Sequence, residues 1–119
     1  KSKDKKTQQQ AVKQMAQLAQ KDKKNAELHE TLQKAYILLE QYDKALEVQD
    51  CLDSINGYDA MSAMQRYRLN AMMKNNKQAI YEVERYLEED PDNMQFQVFR
   101  AQLYEETQQP PAKMAVASP

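Results

Sequence analysis

Three alanines recur at a fixed interval along this chain of 119 residues. Ala11, Ala45 and Ala79 are each 34 positions apart, and each lies in a run of apolar residues with helical spacing. A fixed period of this length indicates internal repeats, in which each helical unit buries its apolar face against its neighbour. The interval therefore predicts an all-α chain of helix, short loop, helix.

Composition agrees with helix and argues against other classes. The chain has one Gly and four Pro, too few turn formers for many short strands, while Ala, Leu, Gln, Glu, Lys and Met are abundant. No stretch approaches the roughly 20 apolar residues that a membrane span requires. We therefore predict one helical domain and no membrane span.

The apolar periodicity and the loop residues predict about six helices. Asn56-Gly57 and Asp90-Pro91-Asp92-Asn93 are loop signals. We expect a capping box at Thr7 and Gln10, and N-caps at Asn25, Asp43, Asp59 and Asn76. The predicted helices span residues 7–21, 26–40, 43–55, 59–74, 77–89 and 94–107.

Charge is divided unevenly along the chain. Residues 1–24 hold eight Lys and two Asp, about +6, which leaves about −7 for the rest. Any nucleic-acid contact would be confined to the first helix, and we predict none. Residues 1–6 are expected to be a flexible basic segment. The start at Lys1, without the apolar core of a signal peptide, fits an excised or processed segment.

These features resemble the tetratricopeptide repeat, a 34-residue helical hairpin with small, aromatic and proline residues in fixed order. The similarity covers about residues 11–107. The first complete unit matches at Leu32, Tyr36, Tyr42 and Ala45, the next at Ala79, Val83 and Pro91, and a third begins with Ala101 and Tyr104.

Several positions depart from the family pattern. Gln33 and Tyr67 stand where the family has a small residue, His29 and Ala63 where it has an aromatic one, and Arg66 where it has Leu. A generic helical bundle with coincidental spacing is the alternative. A pentatricopeptide array, which binds RNA, is disfavoured by the 34-residue interval and by the acidic balance after residue 24.

The resemblance implies a right-handed α-solenoid of helical hairpins over residues 7–107. Residues 108–119 would be a tail or a truncated next helix. A solenoid needs a polar cap at its last unit, so we expect Phe96, Leu103 and Tyr104 to keep exposed apolar surface. That open end would invite a partner or a second copy of the chain.

The resemblance also implies a concave groove, lined by the first helix of each hairpin, in which peptides bind. The predicted groove residues are Glu27, Glu30, Thr31, Lys34 and Leu38 in one unit, Met61, Met64, Gln65, Arg68 and Met72 in the next, and Gln95, Val98, Phe99, Gln102 and Glu106 in the third. Glu30, Lys34, Gln65, Gln95 and Phe99 replace the Lys, Asn and Arg with which some members hold acidic chaperone tails.

The Met residues beside Phe99 form a patch suited to apolar ligands of varied shape, because thioether chains are polarizable and adaptable. The alternative is that they fill gaps between helices. His29 and Cys51 are the only His and Cys, and no catalytic or phosphate-binding motif is present, so we predict neither metal, cofactor nor catalysis.

The expected function is therefore a non-catalytic module that binds another protein or peptide, within a larger protein or assembly. Two alternatives remain open. One is self-association through uncapped solenoid ends, as in a homodimer. The other is an accessory segment of an enzyme whose catalytic part is absent.

Overall fold

A computed structural model describes residues 2–107, with side chains from residue 5 onward. Within this range the chain forms six α-helices and no strand. They are α1 (Ser2–Lys21), α2 (Ala26–Leu38), α3 (Tyr42–Asn56), α4 (Ala60–Met72), α5 (Asn76–Glu89) and α6 (Met94–Glu106). The predicted all-α class and the six helices are confirmed. The tail or truncated helix predicted for residues 108–119 lies outside the described residues.

The N-terminal caps of three helices follow the 34-residue interval. The side chains of Asn25, Asp59 and Asn93 each accept a hydrogen bond of 3.0 Å from the backbone N–H three residues further on, at Leu28, Ser62 and Phe96. Each bond satisfies one of the amide donors that a helix start leaves unpaired. The same local structure therefore begins α2, α4 and α6.

Three other predicted caps are wrong. The first helix begins at Ser2, so Thr7 lies inside it, and residues 2–6, expected to be a flexible segment, are helical. Asp43 and Asn76 lie within the first turns of α3 and α5, which follow Gln41 and Asn75 directly. Neither of these two N-cap residues donates or accepts a side-chain cap bond.

The tight turns after α2 and α4 explain why no such cap is used. Glu40 and Lys74, again 34 residues apart, have φ values of 59° and 64°. The next residues donate backbone hydrogen bonds of 2.9 Å, from Gln41 to Tyr36 and from Asn75 to Asn70. This is the Schellman motif, which closes one helix while the following residue starts the next.

The described helices belong to two compact units, divided between Tyr58 and Asp59. In unit one, α2 packs against both α1 and α3. Its buried core consists of Val12, Ala19, Leu32, Leu39, Val48 and Leu52. In unit two, α5 packs against both α4 and α6, and the largest fully buried side chains are Phe96, Leu69, Leu103 and Val83.

Two of the three periodic alanines are fully buried. Ala45 and Ala79 are 0% exposed, whereas Ala11 is exposed and Val12 occupies the core instead. The repeat interval therefore marks a buried position at Ala45 and Ala79 but not at Ala11. Ala45 lies in the first turn of α3, the second helix of a hairpin, next to Gln33 of α2, while no described helix precedes α1 to provide the corresponding contact.

Gln33 replaces a small residue of the family pattern without leaving a polar group unsatisfied. Its amide donates to the carbonyl of Ala45 at 3.0 Å and to the side chain of Gln49 at 2.9 Å. Gln49 in turn donates to the carboxylate of Asp53 at 2.8 Å. These hydrogen bonds join α2 to α3. Because the buried amide donors have partners, their burial leaves no unsatisfied polar group.

The prediction that Phe96, Leu103 and Tyr104 keep exposed apolar surface is wrong for the first two. Phe96 and Leu103 are each 1% exposed. Phe96 packs its ring against Tyr86 of α5 at 4.5 Å, and the hydroxyl of Tyr104 donates to the carboxylate of Glu84. The face of α6 toward α5 is thus covered within unit two, and Phe96 and Leu103 offer no apolar surface to a second copy of the chain.

The buried alanines give a direct test of the repeat. Ala45→Leu and Ala79→Leu should each lower the free energy of unfolding by about 1–3 kcal/mol, because a larger side chain overpacks the helix contact. Ala11→Leu makes the same change on an exposed site and should alter it by less than about 0.5 kcal/mol. Urea unfolding followed by circular dichroism checks both, and an equal effect at all three sites would contradict the packing.

The left-handed turn residues give a second test. Glu40→Gly and Lys74→Gly should each raise the free energy of unfolding by up to about 1 kcal/mol, because relief of the strained φ exceeds the added chain entropy. Gln17→Gly in the interior of α1 is the matched control and should lower it by about 0.5–1 kcal/mol. Destabilisation by all three variants would mean that the turns are not left-handed.

Candidate functional site

In unit one, the predicted groove residues of α2 form a polar exposed face. Glu27, Glu30, Thr31 and Lys34 are all exposed. The Thr31 hydroxyl donates to the backbone carbonyl of Glu27 at 3.0 Å, so it points along its own helix. Leu38 is exposed as well and is the only large apolar residue among them.

In unit two, the predicted groove residues lie on α4 and α6. Met61, Met64, Gln65, Arg68 and Met72 follow helical spacing along one face of α4. On α6 the same spacing relates Gln95, Val98, Phe99, Gln102 and Glu106. We call the combined set of Met61, Met64, Met72, Val98 and Phe99 the α4–α6 surface.

The α4–α6 surface exposes several large apolar side chains. Met61 is 73% exposed, Met72 52% and Val98 51%. Met64, Gln65 and Phe99 are half-buried, and Arg68 is exposed. Met61 and Met72 therefore do not fill gaps between the described helices, whereas Met64 does so in part.

A stacked aromatic pair joins the two helices of this surface. The ring of Tyr67 on α4 lies 4.6 Å from that of Phe99 on α6, at an interplanar angle of 22°. Phe99 also meets Phe96 edge-on, with ring centroids 5.4 Å apart, and Phe96 continues to Tyr86 of α5. Four rings thus connect all three helices of unit two, in offset and edge contacts that aromatic pairs prefer.

Tyr67 was missed by the sequence analysis as a site residue. In the sequence it stands out only as a departure from the small residue of the family pattern. The size of Tyr67 could have indicated its role, because a ring in place of a small residue must displace a neighbour or reach across to the next helix. It reaches Phe99.

Charged side chains flank the stacked pair. Burial raises the pKa of Tyr67 above its ordinary value, and the nearby negative charge of Glu106 raises it further, while Arg68 opposes the shift. Two predicted groove residues, one acidic and one basic, therefore lie near this ring. The α4–α6 surface thus combines an apolar centre with charged groups of both signs.

Unit one contains a groove that the sequence analysis did not predict. Two cavities of about 420 and 620 Å³ lie side by side between α1 and α3. They share four lining residues, Ala16, Gln20, Tyr36 and Lys44, so they form one groove. We call it the α1–α3 groove. It arises because α1 and α3 both pack on α2 and line a concavity between them, which no local pattern encodes.

His29 and Cys51 both line the α1–α3 groove. His29 is buried, and its Nδ1 lies 2.7 Å from the carbonyl of Asn25. Since a carbonyl can only accept, Nδ1 carries the proton. Burial raises the pKa of Tyr36, at the centre of the groove, and the charge of Glu47 raises it further.

Among residues 2–107, no group of three or more His, Cys, Asp or Glu side chains is placed to hold a metal ion. None of the helices in that range has both the length and the apolar character needed to cross a bilayer.

Comparison with known proteins adds no relative. A scan against protein-family models, a search of curated proteins and a search of solved structures each gave no match.

The stacked pair can be tested by a double-mutant cycle. We expect Tyr67→Ala and Phe99→Ala to show a coupling free energy of about 0.5–1.5 kcal/mol in urea unfolding, because each variant alone removes the same ring contact. Tyr81 of α5 is exposed and serves as the matched control: Tyr81→Ala and Phe99→Ala should be additive within about 0.5 kcal/mol. Additivity of Tyr67 and Phe99 would contradict the stacked contact.

Proposed function

We propose that this chain is a non-catalytic protein-binding module of the tetratricopeptide type, a right-handed α-solenoid within a larger protein or assembly. Its support is the 34-residue interval at three kinds of site. The interval separates the N-caps Asn25, Asp59 and Asn93, the turn residues Glu40 and Lys74, and the buried Ala45 and Ala79.

The observation that carries the binding proposal is the exposure of Met61, Met72 and Val98 on the two helices that the Tyr67–Phe99 stack joins. Covering an exposed apolar side chain contributes on the order of 1.5–3 kcal/mol before ordering costs. Three such side chains contribute roughly 4.5–9 kcal/mol before those costs, whereas micromolar binding requires about 8 kcal/mol net, so the stack and the flanking charges must contribute as well. The rigid aromatic pair supplies a fixed centre, and the flexible Met chains adapt around it.

The proposed partner is an apolar segment of another protein. Arg68 and Glu106 offer polar contacts of both signs at the edge of the α4–α6 surface. An acidic chaperone tail fits this surface poorly, because the positions that would hold its carboxylates are Gln65, Gln95 and Phe99. Apolar contact, with charges setting orientation, is the mechanism we propose.

The test is a pair of matched variants in a binding experiment. The wild-type chain is used to capture partners from its source, and the retained protein is purified for titration calorimetry. Met61→Glu with Met72→Glu should weaken binding by at least about tenfold, because a partner's apolar face cannot solvate the new carboxylates. Met94→Glu, at the 77% exposed first residue of α6 and outside this surface, should leave the affinity unchanged.

Circular dichroism should give the same helicity and melting temperature, within a few degrees, for all three proteins. Loss of structure in the double variant would place Met61 or Met72 in the core. Equal affinity for the wild type and the double variant would move the binding site away from the α4–α6 surface.

A further inference from the structure

The α1–α3 groove has a floor and two walls within unit one. Leu32 and Tyr36 of α2 form the floor, and α1 and α3 form the walls. Gln9 and Gln41 lie at one end, and Lys23 and Ser54 at the other, so the two walls run in the same direction. At about 1.5 Å per residue, the groove extends over about 20 Å.

The groove is apolar at its floor and basic along its walls. Val12, Ala16, Ala19, Leu32, Leu39 and Val48 supply the apolar contacts around Tyr36. Three lysines, Lys13, Lys23 and Lys44, line it, against a single acidic residue, Glu47. Gln9, Gln17, Gln20 and Gln41 add amide groups that can donate to and accept from a peptide backbone.

The three lysines carry charges that the described part of the chain leaves uncompensated. Within residues 5–107, no carboxylate forms an ion pair with Lys13, Lys23 or Lys44. All three are exposed. Helix α1 adds further positive charge at Lys5, Lys6 and Lys21. An acidic ligand in the groove would therefore gain attraction without breaking an existing pair.

We propose that the α1–α3 groove docks an acidic segment of a partner protein. An apolar side chain of that segment rests against Tyr36, and its carboxylates lie near Lys13, Lys23 and Lys44. This proposal is independent of the binding proposed for the α4–α6 surface, because it concerns other helices and a different ligand chemistry.

A protein segment fits the groove better than a nucleic acid does. Nucleic-acid sites are basic over a whole face, since each phosphate is negative. Here Glu47 lies in the groove, and residues 25–58, which include its floor and one wall, hold two Lys and seven Asp or Glu. Alternating apolar and acidic side chains match an apolar floor between lysines more closely than a uniform row of phosphates.

The test begins with an unbiased library. Phage displaying random peptides of about 13 residues, the helical length that spans about 20 Å, are selected on the wild-type chain. Phage that also bind the variant Lys13→Glu with Lys44→Glu are removed. We expect the remaining peptides to be enriched in Asp and Glu together with Leu, Phe or other large apolar residues.

The most enriched peptide is then synthesised with a fluorescent label for anisotropy titration. Lys13→Glu with Lys44→Glu should raise its Kd at least about tenfold, and Lys13→Gln with Lys44→Gln should raise it less. Lys24→Glu with Lys77→Glu is the matched control: both lysines are exposed and outside the groove, and the Kd should stay within about twofold. Met61→Glu with Met72→Glu should also leave the Kd of this peptide unchanged, whether or not the α4–α6 surface binds a partner.

Several results would overturn the docking of an acidic segment. One is the absence of any peptide that distinguishes the wild type from the Lys13 and Lys44 variants, when circular dichroism shows all of them folded. Others are selected peptides without an acidic excess, or equal weakening by the control pair, which would indicate bulk charge alone. Tighter binding of an oligothymidine of similar length at the same lysines would assign the groove to nucleic acid, and a concentration-dependent mass abolished by those variants would assign it to a second copy.

Discussion

The close contact between the two helices of each hairpin is the constraint on which the rest depends. It requires a small residue early in the second helix, and Ala45 and Ala79 meet that requirement at 0% exposure. The backbone must also reverse within two residues, which places Glu40 and Lys74 in the left-handed region. The Schellman bonds that accompany this reversal let one helix end where the next begins. Because each contact fixes the register of its hairpin, it also fixes which faces of α2 and α4 remain open.

The two hairpins use one position of the repeat in opposite ways. Gln33 and Tyr67 occupy the same place, 34 residues apart, where the related family has a small residue. Gln33 turns toward α3 and is held by the carbonyl of Ala45 and by Gln49, so α2 keeps a polar outer face. Tyr67 reaches toward α6 and stacks on Phe99, so it joins the two helices that carry the exposed Met and Val side chains. The same repeat position therefore makes a contact within the hairpin in one unit and a contact with the following helix in the other.

Local signals in the sequence were sufficient to predict the helices and two of their caps. The predictions of burial and exposure that were wrong concern positions whose burial depends on tertiary contacts. Helical periodicity located all six helices, and Asn25 and Asp59 were predicted as caps because their side chains bond only to backbone three residues away. Ala11 is exposed although it shares the repeat interval. The contact that buries Ala45 and Ala79 requires a preceding helix, and the spacing of alanines alone does not supply one. The expected exposure of Phe96 and Leu103 was wrong because it was argued from the absence of a cap after α6, whereas both side chains are buried within unit two, Phe96 against Tyr86 of α5. The α1–α3 groove had no local signal, since it arises from two helices that pack on a third and line a concavity between them.

The charges of unit one give the exposed face of α2 and the α1–α3 groove opposite preferences for an acidic ligand. On α2, Glu27 and Glu30 lie on the exposed face, while His29, Leu32 and Tyr36 line the α1–α3 groove on the other side of the helix. An acidic segment is repelled by the first face and attracted by the lysines of the second, and repulsion excludes wrong sites as effectively as attraction selects the right one. Screening by salt weakens both effects, because the lysines and glutamates concerned are exposed. The apolar contact with Tyr36 persists at high salt, so it would hold the segment in place where the lysines set its orientation.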